Sequence, residues 1–281
     1  MSRRDTVALK WLLGATLRNH RKAARKTLGH AAAHLGVSES KISNMESGRY
    51  GQSPEEIAAL LALYGAEPGR SARIVALAQQ EETGSWWAPW SGVLPDWLRL
   101  FAGLEGMAAS AFVYSPLFVH ALLQTEEYAT AVAASARRVR PVDMDRMVAF
   151  RMERQRRLVE GASPLELHFV IEETALLRPI GGEEVLRRQA EHLVKAARLP
   201  GVDIQVIEAG VGMHPGLTGE FTLFGFEEFD DAVYVELQED AVYLNDSAKV
   251  RAYSMTAKTL RDIALDRHES ASLIASLVRA R

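Results

Sequence analysis

The chain has 281 residues, 48% hydrophobic and 25% charged, which is ordinary for a globular protein and long enough for two domains. It has no cysteine, which excludes disulfide frameworks and cysteine-ligated zinc and leaves an oxidising compartment without support, so a cytoplasmic setting is expected. The net charge of −3 is unevenly divided: residues 1–50 hold ten Lys or Arg against three acids, an excess of seven positive charges, which leaves ten negative for residues 51–281. Such a basic end attracts phosphate, while the acidic remainder limits nonspecific adhesion to nucleic acid.

Near the start the only apolar run is Trp11 to Ala15, too short for a signal-peptide core or a membrane span, so no membrane partner is expected. Residues from about Leu9 to Ala24 predict a first helix, with Leu9, Leu12, Leu13, Leu17 and His20 near one face. Arg18, Arg21, Lys22, Arg25 and Lys26 crowd its end, where cations suit the helix dipole.

The stretch Thr27 to Gly48 reads as two short helices joined by a tight turn. Leu28, Ala32 and Leu35 share a buried face, Gly36 suits a left-handed helix end, and Ser38 suits an N-cap. Ile42 and Met45 point inward on the second helix. Outward stand Glu39, Ser40, Lys41, Ser43 and Asn44, side chains able to donate to or accept from base edges in a major groove. Ser53, Pro54 and Glu56 then form a strong helix-start signal, and Ile57, Leu60, Leu61 and Tyr64 can close a small core. A fifth helix follows the Pro68-Gly69 break. The first domain, 1–83, is therefore expected to be all-α.

Residues 84–97 form a Trp-rich connector holding Trp86, Trp87, Trp90 and Trp97, expected to wedge between domains, with a ligand-stacking box as the alternative. From 98 to 281 the pattern is mixed. A helix over Leu98 to Met107, a short strand in SAFVYSP, and a helix in LLQTEEYATAVAASARR are predicted in turn. A long helix over 142–160 follows, carrying Leu158 on its apolar face and Arg151, Arg154 and Gln155 among its polar residues. LELHFVIEE, IGGEEVLRRQAEHLVKAARL and VDIQVIE read as strand, helix, strand. GEFTLFGF, AVYVELQ and AVYLN read as an antiparallel meander, and two helices close the chain, the last of them HESASLIASLVRAR. This second domain is expected to be α+β with an antiparallel or mixed sheet.

The segment GVSESKISNMESGR, residues 36–49, is similar to the GVSxxxISxxExGR core of the Xre/Cro/repressor-type helix-turn-helix family. The resemblance implies double-stranded DNA as partner, with Ser38, Glu39, Ser40, Lys41 and Asn44 at base-reading positions and Thr27, Ser43, Ser47 and Arg49 near phosphates. It also implies a structural ion pair between Arg21 and Glu46. The sequence departs from the family at Arg25, where Gly is frequent, and at Glu39, where Gln is. Glu39 reads equally as an acceptor for cytosine and as a helix-start acid.

From about Trp97 onward the chain resembles the C-terminal domain attached to many actinobacterial Xre-type regulators, described as antitoxin-like and without assigned enzymatic activity. LLQTEEYA at 122–129, RMERQ at 151–155, Glu173 to Gly182, GMHPG at 212–216, EFTLFGF and VYVE at 233–236 carry it in preserved order, while His120 and Ala121 stand where Pro-Gly is common.

An enzyme would have to use Glu172, Glu173, Glu236, His168, His192 or His214, and no spacing among them is diagnostic. Neither enzymatic activity nor a cofactor or metal is therefore expected. His214 is expected to be a surface or capping residue, with a ligand or partner site formed with Trp86, Trp87 and Trp90 as the alternative. The whole predicts a DNA-binding regulator, a repressor rather than an activator, acting as a homodimer because one module offers few base contacts. A module that sequesters a small partner protein, and a sensor of a small-molecule effector, are the alternatives.

Overall fold

A computed structural model of the chain describes residues 5–79, 84–135, 139–160 and 165–279, and side chains within these except at 157–160 and 279. The expected domain end near Thr83, the tail of the helix expected to reach Arg138, the Leu158 side chain and the last two residues of the expected terminal helix lie outside what is described. Five helices come first: α1 (Thr6–Ala23), α2 (Leu28–Leu35), α3 (Glu39–Glu46), α4 (Pro54–Leu63) and α5 (Pro68–Ala78). Asp5 caps α1 by accepting from the amides of Val7 and Ala8, and Ser53 and Glu56 close the capping box that opens α4.

Helix α1 is buried almost all round, from Ala8 through Leu12 to Leu17, although its sequence shows one strong apolar face. It lies between the other helices and the second half of the chain, which explains why Ala15 and Thr16 are buried as well. A Cβ at Gly14 would sit 2.5 Å from the carbonyl oxygen of Met45, so only glycine lets α1 approach α3 this closely.

The second half contributes α6 (Asp96–Met107), β1 (Ser110–Ser115), α7 (Glu126–Ser135), α8 (Met144–Glu160), β2 (Glu166–Glu172), α9 (Glu173–Leu177), α10 (Glu183–Ala196) and β3 (Val202–Ile207). Three strands, β4 (Phe221–Gly225), β5 (Ala232–Glu236) and β6 (Ala241–Leu244), precede α11 (Ser247–Ile263) and α12 (Arg267–Arg279). The six strands form one mixed sheet in the order β3-β2-β1-β4-β5-β6, in which β1 pairs parallel with β2 and antiparallel with β4. The meander β4-β5-β6 is antiparallel throughout.

Alternation along β1 sends Ala111 and Val113 to one core and Phe112 and Tyr114 to the other. The first core continues into α6, α10, α12 and the helix-turn-helix helices; the second is covered by Val250, Ala257 and Leu260 of α11. A buried ion pair ties α8 to α6: Arg154 and Glu105 are 6% and 5% exposed, with Nη2 to Oε2 at 2.8 Å and Nε to Oε1 at 3.1 Å.

The two halves are docked by side chains and rings. Arg18 Nη2 donates to Asn245 Oδ1 at 2.7 Å, Asn19 to Asp230 at 3.2 Å, and Arg70 Nη2 to Asp230 Oδ1 at 2.8 Å. Arg73 reaches Glu228 at 2.7 Å and Lys22 reaches Asp246 at 3.3 Å. Trp97, Tyr234, Tyr243 and Trp11 follow one another with ring centroids 6.5, 5.3 and 5.9 Å apart. Of the Trp-rich stretch only Trp97 joins this row; Trp86, Trp87 and Trp90 do not reach the junction, contrary to expectation. Trp86 stacks on Phe150 of α8 at 5.5 Å and donates to the Ala102 carbonyl of α6, so the cluster belongs to the second half, and Trp97 is already inside α6. Trp11, a residue inside the first domain, meets Tyr243 at the junction.

Candidate nucleic-acid interface

The turn between α2 and α3 is set by Gly36 at φ 66°, whose left-handed conformation ends α2, and by Ser38, whose hydroxyl accepts from the Lys41 amide at 3.2 Å. Ile42, Met45 and Glu46 of α3 are buried against the domain, so the opposite face turns outward. Ser38, Glu39, Ser40, Ser43, Ser47 and Arg49 are exposed, and Asn44 is half-buried. Thr27 caps α2 from an exposed position, which puts the amide-rich start of α2 beside this surface.

Three positions carry local detail that the sequence pattern does not display. Lys41 Nζ lies 2.5 Å from Glu56 Oε1 on α4, and its ammonium holds the Glu56 carboxyl below the usual range, so it is tied sideways within the domain. Glu39 Oε1 occupies the space that a side chain at Gly29 would need, beside the start of α2. Ser47 Oγ donates to the Asn44 carbonyl at 3.0 Å. His30 and His34 stand one turn apart on α2, and the Nδ1 of His30 is engaged with Thr27 in the cap.

Arg21 and Glu46 form a two-pronged pair, Nε to Oε1 at 2.6 Å and Nη2 to Oε2 at 2.7 Å, with Glu46 buried. The hydrogen bond to Glu46 raises the Arg21 pKa, and burial together with Glu46 pushes the Tyr64 phenol up to about 12. Arg21 also donates to the Lys26 carbonyl at 3.0 Å, across a corner where Arg25 stands at φ 54°. Arg25 is the one non-glycine at positive φ among the described residues, at the place where the resembled family has Gly.

A model for a helix-turn-helix domain matches residues 12–73, and a model described as a domain of unknown function, DUF5753, matches residues 98–276. The chain belongs to the DUF5753 family. No curated protein and no solved structure matches it. The helix-turn-helix match supports a DNA-binding regulator, and no described helix is long and apolar enough to cross a membrane.

The side chains expected to share a ligand or partner site lie on different partners. Trp86, Trp87 and Trp90 pack with Leu94, Ala102, Met147 and Phe150. His214 is not at the surface: it is 7% exposed, its Nε2 lies 3.4 Å from Glu172 Oε1, and that same oxygen accepts from Tyr114 at 2.7 Å. This cluster pins the 208–220 loop to the ends of β1 and β2, and a loop glycine, Gly216, packs on the Tyr114 ring.

The other candidate acid–base residues also hold the scaffold. His168 Nε2 pairs with Gln205 at 2.7 Å and its Nδ1 lies 3.2 Å from Asp203, while Glu173 accepts from the Ala209 amide at 2.9 Å. Burial lowers the pKa values of His168 and His192. A cavity of about 840 Å³ opens at the carboxyl end of β1, bounded by α6, α8 and the β5–β6 turn. Trp97, Phe101, Arg151, Arg154, Tyr234 and Glu236 line it. Its walls come from segments far apart in sequence, and of the candidate residues only Glu236 and Trp97 belong to it.

Proposed function

We propose that the protein is a cytoplasmic, sequence-specific transcriptional regulator of the Xre type, a repressor, that reads an operator through α3 as a homodimer. The observation that carries this reading is the outward face of α3: small hydrogen-bonding side chains on a narrow helix, with the amide end of α2 next to it. Ser38, Ser40 and Asn44 are the base readers, and Thr27, Ser43, Ser47 and Arg49 hold phosphates. Lys41 is assigned a lesser share, because Glu56 competes for its ammonium. Dimerisation doubles the contacts across two half-sites about 34 Å apart or a multiple of it. The second domain acts by binding rather than catalysis, and the cavity favours a small-molecule effector over capture of a partner protein, as an antitoxin-like module would do.

Mobility shifts on the DNA upstream of the protein's own coding sequence, run at several salt concentrations beside random DNA, test the reading. Asn44→Ala is expected to cost about 1–3 kcal/mol on the operator and far less on random DNA. Arg49→Ala is expected to weaken both alike and to lower the salt slope by about one. Equal losses on both DNAs for both variants would contradict the assignment of roles.

A further inference from the structure

Helices often end on glycine, because the residue after the last turn takes a left-handed conformation that a Cβ disfavours. After α1 the left-handed residue is Arg25, at φ 54°, and its amide donates to the Lys22 carbonyl at 3.0 Å. Nothing inside the fold offsets that strain. Arg25 is exposed, and its guanidinium meets no described residue in a hydrogen bond, ion pair or ring contact. A cation at a helix C-terminus is favoured by the dipole, but His20, Arg21 and Lys22 already occupy the last turn of α1. At an exposed helix end that gain is smaller than the cost of the left-handed backbone. The other cations of the helix end differ: Arg18, Arg21 and Lys22 reach Asn245, Glu46 and Asp246. Strain retained for a side chain with no partner in its own chain points to a partner outside it.

The corner that carries Arg25 is tied to the reading helix. The Lys26 amide donates to the Arg21 carbonyl at 3.0 Å, and Arg21 Nη1 donates to the Lys26 carbonyl at 3.0 Å. The same guanidinium grips Glu46 of α3 at 2.6 and 2.7 Å, so the corner and α3 are held as one piece. Thr27, assigned above to a phosphate, follows Arg25 by two residues, a separation of at most about 7 Å between Cα atoms. Within α3 itself the one cation, Lys41, is tied to Glu56. A free guanidinium on this corner therefore supplies what α3 lacks, a charge able to take two phosphate oxygens at once.

We propose that Arg25 is a DNA-binding residue that grips a backbone phosphate beside the one at Thr27. The inference rests on operator binding through α3 and deepens it. Binding of the full chain to its upstream DNA and to random DNA is measured over a range of salt concentrations, with thermal melting, for wild type, Arg25→Gly, Arg25→Gln and Arg25→Lys. Arg25→Gly is expected to melt higher, yet to bind both DNAs about three- to tenfold more weakly and with a salt slope lower by about one. Arg25→Gln should lose the same slope without the gain in melting, and Arg25→Lys should keep the slope. If either neutral variant keeps the wild-type slope, the proposal is overturned and the operator reading stands. A slope lost in Arg25→Lys overturns it too, because charge would then not be the agent. So does a lower melting temperature for Arg25→Gly, which would give the side chain a role inside the fold. A wild-type chain that binds neither DNA overturns both readings.

Discussion

On one side of the helix-turn-helix domain, Arg18, Lys22, Arg70 and Arg73 end on Asn245, Asp246, Asp230 and Glu228 of the DUF5753 domain. On the other, Thr27, Ser40, Ser43 and Arg49 are exposed around α3. The first side carries four cations, three of which meet acidic groups of the same chain, whereas the second shows Arg49 among small polar side chains. The uneven charge distribution therefore has two causes, and a positive patch marks a nucleic-acid face only after the cations engaged internally are set aside. Composition alone cannot make that division.

The comparison can be broken most forcefully at the ion pair beneath α3. Arg21→Ala leaves the buried Glu46 carboxylate uncompensated and should cost about 3–5 kcal/mol in urea unfolding, with α3 no longer held to α1. A loss below about 1 kcal/mol would mean that the pair does not anchor the reading helix. Next in size is Arg25→Gly, which relieves a left-handed conformation and should raise stability by about 1 kcal/mol. A fall in melting temperature would show that the Arg25 side chain contributes more than its backbone costs. The smallest effect sharpens the contrast: Arg70→Ala, on the engaged side, should cost about 0.5 kcal/mol and leave the salt slope of DNA binding unchanged, unlike Arg49→Ala. A reduced slope for Arg70→Ala would place DNA on the wrong face.

Acidification adds a global check. His20, His120, His168 and His192 all have pKa values lowered chiefly by burial. The unfolded chain therefore binds more protons than the folded one below about pH 6.5, and stability should fall as pH drops through that point. A urea midpoint at pH 5.5 equal to or above that at pH 7.5 would contradict these environments.

Local signals were legible in sequence. The capping box at Ser53, the left-handed Gly36 and the alternation in VDIQVIE each appear in the structure where the pattern places them. What escaped were features that depend on distant segments meeting. The parallel pairing of β1 with β2 joins residues more than fifty positions apart. Trp11 reads as one apolar position among several until Tyr243 stands against it. His214 sits in a glycine-rich loop whose composition suggests exposure, but Tyr114 and Glu172 draw it inside. Lys41 looks outward on a helical projection, and only the placement of α4 shows Glu56 reaching it.

The row of four rings from Trp97 to Trp11 has a geometric corollary. With α1 clasped between two bodies and stacked at that end, the reading head is not a bead swinging on a tether but one arm of a stiff caliper. In a twofold pair the gap between the arms would be set by how the DUF5753 domains meet. Substitutions remote from the duplex, at that meeting surface, could then retune which operator spacing is accepted without altering a single base contact.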